Sequence, residues 1–414
     1  MKFALLMGCA LACVPALAAA SEAGANEPDL PPLASVVAVM AEYPNVVAAR
    51  AGERAQDAAG SLLRAGTYET VVRMEAGERR DPRIDTRFNE WNAVVERPLR
   101  LPGKARLDAR IGEEGMDLAR LAVGDALHEA GRTLLRQWFA WMRATAVEAV
   151  WRAQLDVLVA ERDIAARRVK LGDAPRQEAL LADAAVAQAD YSRLQARART
   201  EAAATELHQT FPGIPIPAAP VLLAPRPIEG ELDYWQLAYL ANNHELGLAR
   251  AEIRRRTLVA ARARADAIPD PTVGMRYASE RSNAEHIVGL FVSLPLPGEA
   301  RTARAAESAA QIEVAASREA ALLRRLSAEV SVLYTNARSA YDSAGRAGEA
   351  AQGMNRNAEL TSKAHSLGEA SLAEVLLARR MASESGLAST LARLEAAESR
   401  YRLLLDAHEL WPLD

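Results

Sequence analysis

The side chains best suited to metal or proton chemistry are six histidines: His128, His208, His244, His286, His365 and His408. No two of them stand four residues apart, the spacing that puts two imidazoles on one face of a helix. Thiolates give no support, because the only cysteines, Cys9 and Cys13, lie near the N-terminus. No Ser-His-Asp pattern, phosphate-binding glycine loop or dinucleotide fingerprint stands out. The expectation is therefore a chain with no catalytic residue, no cofactor, no metal site and no enzymatic activity. Trp138 and Trp141 share a helical spacing typical of packing residues. Two carboxylates, Glu178 and Glu374, stand at the same offset after Gly172 and Gly368. Taken alone, each is an ordinary solvated helix glutamate.

The elements that position these residues are legible from proline. None occurs between Pro102 and Pro175, or between Pro297 and Pro412. Proline breaks a helix interior, so each gap, rich in Ala, Leu, Arg and Glu, is free to form very long helices. At 1.5 Å per residue, helices over Lys104–Leu171 and Glu299–Leu367 would each be roughly 100 Å long.

Composition narrows the function. Half the 414 residues are hydrophobic but only 5% are aromatic, and much of the apolar share is alanine, so bulky globular cores are not expected. A net charge of −4 leaves no basic footprint for nucleic acid. Lys2, the apolar run from Phe3 to Val14 and Ala16-Leu17-Ala18 read as a secretory signal, removed with both cysteines. A lipoprotein signal acylated at Cys9 or Cys13 is the competing reading. After this segment no apolar run is long enough for a transmembrane helix.

The chain reads as one unit written twice, with copies about 200 residues apart. Ala48-Ala49-Arg50-Ala51 answers to Leu248-Ala249-Arg250-Ala251. Each is followed by a helix and then by alternating apolar and polar residues, the period of a strand. Strands are expected near 67–77 and 87–99 in one half and near 271–280 and 286–294 in the other. Polar turns at Arg79–Arg83 and Glu280–Ala284 join them into hairpins. The junctions Pro102-Gly103 and Pro297-Gly298 end the hairpins, with glycine allowing the backbone to turn into the helix. The long helices end at Leu171-Gly172-Asp173-Ala174 and Leu367-Gly368-Glu369-Ala370, where glycine suits the helix C-cap. Returning helices follow, with coiled-coil seams at Leu180, Ala184, Ala187, Tyr191 and Leu194, and at Leu387, Leu391, Leu394, Tyr401 and Leu405. The division is 1–20 signal peptide, 21–211 first repeat, 212–230 Pro-rich linker and 231–414 second repeat.

This order of elements resembles the outer-membrane efflux factor (TolC-like) family. The resemblance rests on the twofold repeat, on Glu96-Arg97-Pro98-Leu99-Arg100-Leu101-Pro102-Gly103-Lys104 with its partner Leu294-Pro295-Leu296-Pro297-Gly298-Glu299, and on the two Leu-Gly-acid-Ala turns. The wording from Trp91 to Arg106 is most similar to the cobalt-zinc-cadmium (CzcC-like) branch. The resemblance implies a mainly α protein with a small β part. Three copies would supply a twelve-strand outer-membrane barrel, four strands each, continued by a periplasmic helical tunnel. It further implies a homotrimer in outer-membrane lipid, docked to a periplasmic adaptor and an inner-membrane pump. The turns at 171–174 and 367–370 would be the docking tips. Glu178 and Glu374 would line the tunnel entrance, where rings of carboxylates favour cations. A periplasmic adaptor, with one helical hairpin, and a periplasmic coiled-coil scaffold are the alternatives.

Overall fold

A computed structural model describes residues 27–413. The expected signal peptide, Cys9 and Cys13 lie outside the described residues. The element order repeats as the duplication requires. The first half runs α1 (Leu33–Glu42), α2 (Pro44–Ala65), β1 (Val71–Asp81), β2 (Thr86–Pro98), α3 (Pro102–Leu171) and α4 (Arg176–Thr210). The second runs α5 (Leu232–Ala241), α6 (His244–Ala265), β3 (Thr272–Glu280), β4 (Glu285–Ser293), α7 (Glu299–Ser366) and α8 (Leu372–Asp406). The long helices have 70 and 68 residues, and both returning helices have 35. No helix or strand lies between Thr210 and Leu232. The chain packs as two compact units that cut across the repeats. Among the described residues, one takes the chain up to Tyr43, Leu127–Asn242 and the chain from Ala328 onward; the other takes Pro44–Ala126 and Asn243–Ser327.

In the first unit the helices pair through alanine. Ala182, Ala189 and Ala196 on α4, and Ala337, Ala344, Ala351 and Ala358 on α7, are all buried and recur at heptad spacing. A methyl group at the seam lets helix axes approach closely while keeping the best helix propensity. Ala165, Ala182 and Leu372 form one such cluster, and Ala358, Ala378 and Ala382 another. This corrects the expected α4 seam: Leu180, Tyr191 and Leu194 are exposed, and the neighbouring alanine row is buried instead. On α8 the expected Leu394, Tyr401 and Leu405 are buried. Larger side chains are also buried in this unit, among them Trp138, Phe139, Trp141 and Tyr239. The indole of Trp138 donates to the Asp29 carbonyl at 2.8 Å and the Tyr401 hydroxyl donates to its carboxylate at 2.7 Å, tying the N-terminal segment down. The Asp406 side chain, fully buried, accepts from Arg132 at 2.7 Å and Arg402 at 2.6 Å.

The second unit is organised around a buried lysine. Lys104, in the first turn of α3, is 2% exposed, and its ammonium lies 3.1 Å from Asp266 and 3.0 Å from Asp270. Asp270 also accepts from the Tyr68 hydroxyl at 2.8 Å and from the Leu101 amide at 3.2 Å. Arg262 bridges Asp266 and Asp108, and Arg100 pairs with Asp108 at 3.1 Å. Three cations thus face three carboxylates, which is how buried charge is tolerated.

The network explains where the strands start. Residues 67–70 were expected in β1, but Tyr68 is held by Asp270, and the strand begins only at Val71. At its other end β1 runs on to Asp81, into the expected turn, because Arg79 and Arg80 stay in register with Phe88 and Arg87. The ion pairs Arg79–Glu90 and Arg87–Glu78 hold them there. At the junctions neither Gly103 nor Gly298 is left-handed. Pro102 itself is the first residue of α3, where its fixed φ suits a helix start, while Pro297 and Gly298 stay outside α7.

Replacing Lys104 with Met should destabilise the second unit by roughly 3–5 kcal/mol, because two carboxylates lose their shared partner. Burial alone would raise both carboxyls, but hydrogen bonds from Arg262 and Lys104 to Asp266, and from Lys104 and Tyr68 to Asp270, hold them below their ordinary value of 3.8. Their stabilisation is complete above that value and lost as pH falls through the lowered folded values. Thermal unfolding followed across the acid limb should therefore be flatter in Lys104→Met than in the wild type.

Candidate functional site

Two regions carry the sequence-derived site residues, one in each unit. In the first unit the α3–α4 and α7–α8 turns close two helical hairpins. Gly172 and Gly368 have φ of 77° and 80°, the left-handed conformation that glycine adopts without strain. Both ends form Schellman turns. Asp173 N donates to Arg168 O at 2.8 Å and Gly172 N to Val169 O at 3.1 Å. Glu369 N donates to Ala364 O at 2.9 Å and Gly368 N to His365 O at 2.9 Å. The apolar residues just before the glycines project into solvent: Leu171 is 82% exposed and Leu367 67%. The hairpins pack together where Leu372 meets Ala165 and Ala182, and where Arg379 pairs with Glu161 at 3.2 Å.

Glu178 and Glu374 occupy the third position of α4 and α8 respectively, where a carboxylate meets the positive helix end. Each has a local partner. Arg168 lies 3.0 Å from Asp173 and 3.6 Å from Glu178, so one guanidinium braces the first tip. Glu374 closes a capping box: it accepts from the Ser371 amide at 2.7 Å and hydroxyl at 2.8 Å, while its own amide donates to Ser371 Oγ. The Ser371 amide, then its hydroxyl, hold the Glu374 carboxyl below its ordinary range. Ser-x-x-Glu before an apolar run was a readable signal for this cap. The Asp173, Ala174, Glu369 and Ala370 positions complete the turns, and the Ala370 carbonyl lies 2.7 Å from His365 Nδ1.

In the second unit the strands form one antiparallel sheet in the order β1-β2-β3-β4. Its register sorts the side chains into two chemically distinct faces. Rows such as Val72, Val95, Met275 and Leu290, or Met74, Ala93, Tyr277 and Val288, cross all four strands on one face. Ala93 and Tyr277 are half-buried and the other residues of these rows stand in the open: Leu290 is 86% exposed and Met74 74%. The apolar rows from Val273 and Val292 up to Trp91 span about 20 Å at strand rise. That is close to the apolar band of outer-membrane barrels. Trp91 and Tyr277 pack at 5.3 Å near its upper limit, and Tyr277 also meets His286. This grouping was not visible in the sequence, where aromatics look sparse. The opposite face carries the Arg73–Glu96 and Arg79–Glu90 pairs and the Asn92–Glu75 hydrogen bond. Among the described residues, β1 and β4 each have one edge without a strand partner. No described helix is long and apolar enough to cross a membrane.

The sequence matches no family model and none of the curated proteins. Solved structures do match. The Campylobacter jejuni CmeC outer membrane channel is similar with a TM-score of 0.73 at 12% identity, over 91% of this chain and 85% of that one. The fold is that of an outer-membrane channel protomer. The Vibrio cholerae outer membrane protein VceC gives 0.72 at 15% identity, covering 91% and 95%. The open state of the Neisseria gonorrhoeae MtrE outer membrane channel gives 0.64 at 15%, covering 92% and 90%.

Gly368→Val should lower stability by about 1–2 kcal/mol, the penalty of a left-handed residue with a Cβ. Ser371→Ala should cost about 1 kcal/mol as a lost N-cap. Helical circular dichroism on heating measures both. Equal melting of the two variants and the wild type would mean that the turn geometry is wrong.

Proposed function

We propose that this chain is the outer-membrane channel of a tripartite efflux system, a passive duct without a catalytic step. The observation that carries this is the sheet: one face apolar and exposed over a membrane-like height, one face charged, both edges open. Such a sheet is stable only when closed by further copies in lipid, since four strands cannot close a barrel. Three copies give twelve strands. The exposed Leu180, Tyr191 and Leu194 on α4 offer a surface for neighbouring copies to cover. A soluble scaffold has no use for the apolar sheet, and an adaptor would carry one hairpin, not two.

In this reading the tips at Leu171–Ala174 and Leu367–Ala370 dock a periplasmic adaptor, itself bound to an inner-membrane pump of the RND type. The likeness of Trp91–Arg106 to the cobalt-zinc-cadmium branch favours heavy-metal cations as cargo. Glu178 and Glu374 line the entrance. Their partners refine this role: Arg168 offsets Glu178, whereas Glu374 uses one oxygen in its cap and keeps its charge.

The purified protein should require detergent and run as a trimer in native mass spectrometry; a monomer that stays soluble without detergent overturns the reading. In single-channel recordings Glu374→Gln should reduce cation selectivity more than Glu178→Gln, with trimers intact because Gln at 374 still serves the capping box and Glu178 makes only a local ion pair with Arg168. Selectivity unchanged across salt concentrations in both variants would return these glutamates to a purely local role.

A further inference from the structure

Two histidines far apart in sequence meet within the first unit. His128 is a buried residue of α3, and His408 lies just beyond the end of α8. Their ring centroids are 3.9 Å apart at an interplanar angle of 41°. Ring nitrogens of the pair lie within 4.8 Å of one another. Spacing along a single helix could not reveal such a pair, because its members come from different elements.

The backbone at His408 is a second, independent observation. Its φ is 63°, in the left-handed region. Glu409 N donates to Leu404 O at 2.8 Å and His408 N to Leu405 O at 3.1 Å, the same Schellman turn that closes α3 and α7. Those two turns place glycine at this position, Gly172 and Gly368. Here the chain holds a histidine in a conformation that disfavours any side chain. The strained turn brings an imidazole against α3, where His128 is buried.

We propose that His128 and His408 bind a borderline divalent cation of the Zn2+, Cu2+ or Ni2+ class. Neutral imidazole is a preferred ligand for these ions. With Zn–N bonds near 2.0–2.1 Å, two ligating nitrogens in a tetrahedral shell sit roughly 3.3 Å apart. Small side-chain rotations take the pair to that separation. Two imidazoles fill part of the shell and leave positions for water or further donors. The bound ion would staple the C-terminal turn of α8 to α3. It would be a resident structural ion and not cargo, so this inference stands apart from the efflux reading.

The test uses full-length, tag-free protein in detergent, stripped with chelator. Zn2+ titration by calorimetry should show saturable binding of one ion per chain and a raised melting temperature. Cu2+ bound at the same site should show at least two imidazole nitrogens by electron paramagnetic resonance. His408→Gly relieves the left-handed residue, so without metal it should melt no lower than the wild type. It should nonetheless bind Zn2+ about tenfold or more weakly and lose the metal-induced rise in melting temperature. His128→Gln should show the same loss of binding. If the wild type shows no saturable binding, or if His408→Gly binds as tightly as the wild type, the site does not exist.

Discussion

The buried ammonium of Lys104 is the constraint on which the sheet depends. A lysine at this depth needs its charge answered on the spot, and Asp266 and Asp270 answer it. Both carboxylates precede β3, Tyr68 precedes β1, and Leu101 follows β2. One cluster therefore pins the entry of both hairpins and the exit of the first. Leu99 N donates to Pro271 O at 2.7 Å in the same place, and the register Pro98↔Thr272 and Arg97↔Val273 follows from there. A slip of one residue between β2 and β3 would send every side chain of one strand to the other face. The separation into an apolar and a charged face, on which the channel reading rests, is thus secured by charges that lie outside the strands.

The helices use a different logic. Their seams are alanine, so each pairing gains little from apolar area per residue and relies on length and close approach. The bulky residues that a soluble coiled coil would bury at its seam are displaced to the outside: Leu180, Tyr191 and Leu194 on α4, Leu360 on α7, and Leu377 and Met381 on α8. A chain built this way holds these helices through many small contacts, buries its larger side chains in a separate cluster around Trp138 and Phe139, and leaves other large apolar groups on the surface. The sheet does the same in its own terms, with satisfied hydrogen bonds inside and open edges outside.

Much of this fold was legible because its signals are local and repeated. Proline gaps located the long helices to within a few residues, and Gly172 and Gly368 marked their ends because few other residues accept that φ. Period-two alternation put Val72 with Met74 and Val273 with Met275 and Tyr277 on shared faces. What stayed hidden depends on pairing across the chain. Lys104 reads as a surface charge until Asp266 and Asp270 are brought to it. Tyr68 fits the strand alternation, and only its hydrogen bond removes it from the strand. The α4 seam was misplaced because Leu and Tyr outrank Ala in any search for hydrophobic spacing, although Ala is what close-packed helices bury. Glu178 and Glu374 were singled out because the family resemblance places entrance carboxylates at that offset from the glycines, but the offset is also the third position of the next helix, where a carboxylate has a local reason to be.

The duplication is symmetric in elements and asymmetric in chemistry, and the asymmetry falls where the halves must do different work. The phrase that begins α3 carries Lys104, whereas the phrase that begins α7 carries Glu299. Glu299 is exposed, so the second copy has no buried charge at the matching position. The tips diverge in the same way. The first is braced by a guanidinium that reaches Asp173 and Glu178; the second is braced by a serine cap and by His365 on the Ala370 carbonyl. An arginine brace neutralises the acid beside it, and a serine cap does not. Two turns with the same backbone therefore present different charge to whatever meets them, so a partner binding both would have to recognise two chemistries on one shape.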